Sequence, residues 1–144
     1  MTSYKPISAT ASTLSLTMAT HGGATVVANR AAGITMTLPA ASGSGVKFKV
    51  VIGTTVTSNS LIVKVANATD IMAGMATFAQ DAADTAVSFE TASDSDTITL
   101  NGSTTGGIKG DIIELEDVSS GLWSVTLLGS ATGTEASPFS ATVS

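Results

Sequence analysis

The sequence predicts an all-β fold, a single sandwich or small barrel of antiparallel strands. Three observations carry that reading. Apolar residues recur at every second position in run after run, as half-buried strands require. Gly, Asn, Ser and Pro cluster between the runs, where turns belong. No stretch has the strand–helix–strand pattern of a crossover, so a parallel sheet is not expected.

Leu14-Ser15-Leu16-Thr17-Met18 is the first alternating run. A shorter one, Thr25–Ala28, follows the turn His21-Gly22-Gly23. Ile34-Thr35-Met36-Thr37-Leu38 and Val46-Lys47-Phe48-Lys49-Val50 come next, separated by Pro39 and the stretch Ala40 to Gly45. Leu61, Val63 and Val65 share one face, and Lys64 points to the other. Ala73 to Ala86 reads two ways. Met75, Phe78, Ala79 and Ala82 would line one face of a helix, but Asp81-Ala82-Ala83-Asp84 has the character of a hairpin tip. Val87-Ser88-Phe89 alternates beyond it, within a strand over Thr85–Phe89, which favours the hairpin. Thr97-Ile98-Thr99-Leu100 is a strand ended by Asn101-Gly102. Ile113 and Leu115 alternate with Glu114 and Glu116. After Ser119-Ser120-Gly121, the residues Trp123, Val125 and Leu127 form the last strong strand. β-Branched residues enrich these runs, which adds propensity to pattern.

The chain has 144 residues, enough for one hydrophobic core, which occupies 13–130 on this reading. Only 12% of residues are charged, about half the usual share, and 43% are hydrophobic. Six basic against eleven acidic residues give a formal charge of -5, which argues against nucleic acid or an anionic membrane as a partner. The absence of cysteine excludes disulfides and thiolate metal sites. A single histidine makes a histidine metal site or a catalytic triad improbable, and the composition points away from an enzyme and from any cofactor. No apolar run approaches the ~20 residues of a membrane helix, and the N-terminal residues have no signal-peptide character.

Few residues are candidates for chemistry. Asp81, Asp84, Glu90, Asp94 and Asp96 lie close in sequence and offer oxygen ligands to a hard cation, but without the spacing of a calcium loop. Turn formation and edge solubility account for them as well. His21 reads as a turn residue. Lys47, Lys49 and Lys64 form a small basic spot, either solvated or matched to acidic groups of a neighbouring chain. Trp123 reads as a hairpin anchor in the core or at its rim, or as an interface hot spot. The ends, 1–12 and 131–144, are rich in Ser, Thr and Ala. Each carries a proline beside an apolar residue, Pro6 with Ile7 and Pro138 with Phe139, and each reads as an extended arm.

The run Gly33-Ile34-Thr35-Met36-Thr37-Leu38-Pro39-Ala40-Ala41, with Gly43-Ser44-Gly45 and Phe48-Lys49-Val50-Val51, resembles a module of tailed-phage virion proteins. The hairpin Gly110-Asp111-Ile112-Ile113-Glu114-Leu115 to Gly121-Leu122-Trp123-Ser124-Val125 is similar to one in the same proteins. Together with Val65 to Asp70 and Asp96 to Gly102, the chain resembles the small decoration or cement proteins of bacteriophage heads over about residues 10–135. That resemblance implies a jelly-roll-like sandwich on the outer surface of the capsid. It would be a homo-oligomer, dimer or trimer, stapling neighbouring copies of the major capsid protein against internal DNA pressure. The arms would be the straps. Tyr4, Pro6 and Ile7 at one end, Pro138 and Phe139 at the other, and Trp123 are the contact residues expected. The alternative is a receptor- or carbohydrate-binding module of a tail fibre or spike, which needs an exposed groove with Trp123 beside Asp94 and Asp96.

Overall fold

A computed structural model describes residues 5–143. Twelve strands and one helical turn make up the regular structure of those residues. The larger sheet has seven strands: β1 (Ile7–Ala9), β3 (Thr25–Ala28), β5 (Lys47–Ile52), β7 (Ile71–Gln80), β8 (Ala86–Glu90), β10 (Ile112–Ser119) and β11 (Leu122–Ala131). They lie side by side in the order β1-β3-β5-β10-β11-β7-β8. The smaller sheet contains β2 (Thr13–Ser15), β4 (Thr35–Thr37), β6 (Leu61–Lys64), β9 (Thr97–Leu100) and β12 (Phe139–Ser140), in the order β12-β9-β6-β4-β2. The protein is an all-β sandwich, as its alternation predicts.

The sheets are mixed, not antiparallel. The first six strands alternate between the two sheets, so β1, β3 and β5 run parallel in one and β2, β4 and β6 parallel in the other. The chain winds three times around the core before any hairpin forms. Parallel neighbours need a long connection, and a strand of the opposite sheet supplies it here in place of a helix. Hydrogen bonds between successive windings continue past the strand ends, from Asn29 N to Ala9 O and from Gly53 N to Ala28 O, each 2.9 Å. The second half is mostly antiparallel. β10 is flanked by β5 and β11, β7 pairs β8, and β9 pairs β6 and β12. One further parallel pair, β11 with β7, joins the two hairpins.

Ala73 to Ala86 is a β-hairpin with Asp81 to Asp84 at its exposed tip. The first alternating run is shorter than its pattern suggests. β2 ends at Ser15, and Met18–His21 forms one helical turn, α1, with Thr17 as its N-cap. The Nδ1 of buried His21 accepts the Thr17 N–H at 3.0 Å, so the histidine closes this turn.

Alternation decides which side chains meet between the sheets. Val26, Val50, Ile113, Leu127 and Ala76 align across the larger sheet, Met36, Val63 and Ile98 across the smaller, and all are buried. Phe48 and Trp123 contact each other in this layer with ring centroids 5.8 Å apart. Burying side chains of this size contributes about 1.5–3 kcal/mol each. Gly74 lies where β7 meets β11, and a Cβ there would fall 1.7 Å from the Val125 carbonyl oxygen. Only glycine permits that approach.

Candidate functional site

Strand register sets the residues on the outward side of the larger sheet in rows. In one row Lys47 on β5 pairs Glu116 on β10, with their charged atoms 3.7 Å apart. In the next, Thr25, Lys49, Glu114, Thr126 and Met75 follow one another across five strands. Val27, Val51, Ile112 and Leu128 make the third row, which is apolar. Met75 and Leu128 are more than half exposed, at 53% and 55%. The twist of the sheet leaves a concavity of about 330 Å³ over the lysine and glutamate rows. This face carries an apolar stripe beside charged rows. Its rows pair lysines with glutamates and set no hydroxyl beside a histidine that could serve as its base. Lys64, expected beside Lys47 and Lys49, is on the smaller sheet, so the basic spot is divided between two faces.

The outward side of the smaller sheet is different. Thr13 and Thr35 align with Ile62 and Thr99, and Ser15 and Thr37 align with Lys64 and Thr97, giving a hydroxyl-rich face.

Four buried aspartates hold the loops. Asp117, on the inward side of β10, accepts the N–H groups of Ser42 (3.1 Å), Gly43 (2.7 Å) and Ser44 (3.1 Å) and the Ser44 hydroxyl (2.7 Å). Burial raises its pKa, but the Ser42 N–H, the Ser44 hydroxyl and the Gly43 and Ser44 N–H groups outweigh that and hold the carboxyl at about 2. Asp111 accepts from Gly107 and Ile108 with one oxygen and from Ser130 with the other. There burial wins over the hydrogen bonds, and the pKa is raised. Asp70 accepts the Ala41 N–H at 2.8 Å. Asp96 accepts the N–H groups of Thr142 and Val143 and the Thr97 hydroxyl, tying the C-terminal segment to β9. The carboxylates serve as backbone acceptors, and among the described residues no cluster of three or more His, Asp or Glu is placed to hold a metal ion. No helix of the described residues is long and apolar enough to cross a membrane.

The contact residues expected from the sequence are dispersed. Tyr4 lies outside the described residues. Pro6 is exposed and immediately precedes β1. Ile7 is in β1, an outer strand of the larger sheet, and Phe139 is in β12, an outer strand of the smaller, with buried Pro138 before it. Neither Ile7 nor Phe139 is on a free arm: Ile7 pairs with Val26 and Phe139 with Ile98. Trp123 is 0% exposed, between the sheets, so it anchors the core and is not a surface contact. Asp96 is fully buried as well, so the aromatic groove needed for a sugar-binding reading is not formed by these residues. The aspartate acceptors and the rows of the larger sheet go beyond what the sequence reading singles out. Their signals are an aspartate next to a strand start (Asp70, Asp96, Asp111) and Lys-x-Lys facing Glu-x-Glu in separate runs.

This chain matches no protein-family model, no curated protein and no solved structure. Among the described residues the chain is a two-sheet β sandwich with an outward face on each sheet.

Proposed function

We propose that the protein is a non-enzymatic structural component of a tailed-phage virion, a decoration protein on the outer surface of the capsid that cements neighbouring major capsid subunits. The observation that carries the reading is the position of the two terminal segments, β1 at the edge of the larger sheet and β12 at the edge of the smaller. An edge strand offers backbone N–H and C=O groups on its free side, and a strand of a neighbouring subunit can add there. Two such edges on opposite sheets let one copy engage two subunits at once, and modest contacts become strong by multivalency. Pro6 and Ile7 at one edge and Phe139 at the other are the contact residues of the reading, while Pro138, expected with them, is buried. The two-sheet β body supports it at the level of a sandwich. The jelly-roll connectivity and the oligomer of the cement proteins belong to the proposal.

Co-sedimentation with shells lacking the protein tests this. Wild-type protein is expected to pellet saturably. A Ser8→Lys/Ser140→Lys variant, with charge added at both edges, is expected to bind about tenfold more weakly or worse, because charged edge strands resist strand addition. Wild-type protein left in the supernatant with intact shells overturns the function. Equal binding by the variant overturns the role of the edges.

A further inference from the structure

We infer that the outward side of the larger sheet is a self-complementary interface occupied by a second copy of this chain. The argument comes from register. Lys47 pairs Glu116, Lys49 pairs Glu114 and Val51 pairs Ile112, all between adjacent strands β5 and β10. Take a two-fold axis lying in the plane of contact, parallel to the strands and midway between β5 and β10. It sets each β5 residue over the β10 residue that it pairs with in its own chain. Lys47 then opposes Glu116 of the second copy, Lys49 opposes Glu114, and Val51 opposes Ile112. One strand further out, Val27 and Leu128 are equally distant from the axis, so they oppose each other in the apolar row.

Charge selects this axis. Moved onto β10, it would set Glu114 over Glu114 and Glu116 over Glu116, and like charges in contact oppose association. Moved onto β5, it would do the same to the lysines. The midway axis leaves every one of these four charges opposite its complement. It also makes the contact isologous, as two-fold dimers require.

The area is small. Six strands, β1 to β7 in sheet order, overlap under this axis, with β5 over β10, β3 over β11 and β1 over β7 of the second copy. The shorter strand of each pair has 6, 4 and 3 residues, and at about 4.8 Å between strands and about 3.4 Å per residue the footprint is about 420 Å² per copy, about 850 Å² in total. That is the size of a weak, reversible interface. β8, with Glu90, lies beyond the overlap, so Glu90 sets no further carboxylate within it.

The inference goes beyond the capsid reading and can fail separately from it. The test is sedimentation velocity of the full chain over a concentration series, with circular dichroism to confirm folding. Wild type is expected to be a dimer. Lys49→Glu alone places four carboxylates around the axis, and Glu114→Lys alone places four ammonium groups there. Each is expected to weaken the dimer about a hundredfold, about tenfold for each of its two symmetry-related contacts. A one-to-one mixture of the two variants is expected to form a heterodimer, because each supplies the charge that the other needs. The double variant Lys49→Glu/Glu114→Lys is expected to dimerise like wild type. A wild-type monomer at ~100 µM overturns the inference, as does a dimer that neither reversal weakens. A wild-type monomer whose shell binding is lost on charge reversal also overturns it and assigns the face to the capsid.

Discussion

Replacing Asp117 with asparagine is the sharpest test of how the loops are held. The carboxylate takes the Gly43 N–H at 2.7 Å on one oxygen and the Ser44 hydroxyl at 2.7 Å on the other, with further bonds from the Ser42 and Ser44 N–H groups. An asparagine side chain, in either orientation, turns an NH₂ toward donors that need an acceptor. Each buried donor left without one costs about 1–3 kcal/mol, so Asp117→Asn should cost about 3 kcal/mol at neutral pH. For a domain of this size that is a fall of about 10 °C in Tm.

The pH dependence adds a second check. The folded pKa is about 2 against an ordinary 3.8, so the group is depressed on folding. A depressed carboxyl stabilises above its unfolded pKa and loses that stabilisation as pH falls toward the folded value. The difference corresponds to about 2 kcal/mol after some screening by solvent. Wild type and variant should therefore converge by about that amount between about pH 5 and pH 2. Asp111 contributes with the opposite sign. Its raised pKa disfavours the folded state while the group is ionised, and acid relieves this. The difference between wild type and variant cancels the Asp111 contribution. Urea unfolding followed by circular dichroism at several pH values reads both effects. A variant melting within about 2 °C of wild type at neutral pH, or a gap that stays constant down to about pH 2, would refute the reasoning.

Other substitutions test the packing. Gly74→Ala should break the β7–β11 pairing, since its Cβ would lie 1.7 Å from a carbonyl oxygen, and should leave little folded protein by circular dichroism. Wild-type stability in that variant would contradict the strand register. Trp123 is fully buried, and its Nε1 has no hydrogen-bond partner among the described residues. Trp123→Ala should cost about 3–5 kcal/mol, whereas Trp123→Phe removes the unpaired N–H along with volume and should cost about 1 kcal/mol or less. Chemical denaturation ranks the two, and equal losses would count against the unpaired donor. Intrinsic fluorescence of the wild type should be blue-shifted and resistant to acrylamide; a red-shifted, readily quenched emission would place the indole in water.

The legible parts of this fold are those that depend on near neighbours. Period two sorts Phe48 and Val50 from Lys47 and Lys49 whatever strand lies beside them, because each side chain's face is fixed within its own strand. The hairpin at Asp81 to Asp84 is readable for the same reason. Pairing partners are another matter. Nothing within Thr25–Ala28 says that its neighbours are Ile7–Ala9 and Lys47–Ile52, or that they run parallel to it. Asp117 reads as a polar residue near a strand end, and its acceptor role depends on the loop Ser42 to Ser44, more than seventy positions away. Trp123 shows why a strand assignment does not give exposure: alternation places it at the start of a strand, but its face is decided by which sheet covers it. The terminal segments mislead through composition, since Ile7 and Phe139 look like residues of loose arms until the strands that receive them are known.

The functional proposal is tested most directly by imaging. Shells lacking the protein, saturated with the purified wild-type chain and reconstructed by cryo-electron microscopy, should show two-sheet density at regular lattice positions on the outer surface. The edge strands β1 and β12 should lie against neighbouring capsid subunits, and pairs of copies should be joined through their larger sheets. Bare shells beside folded, unbound protein would contradict the proposed function.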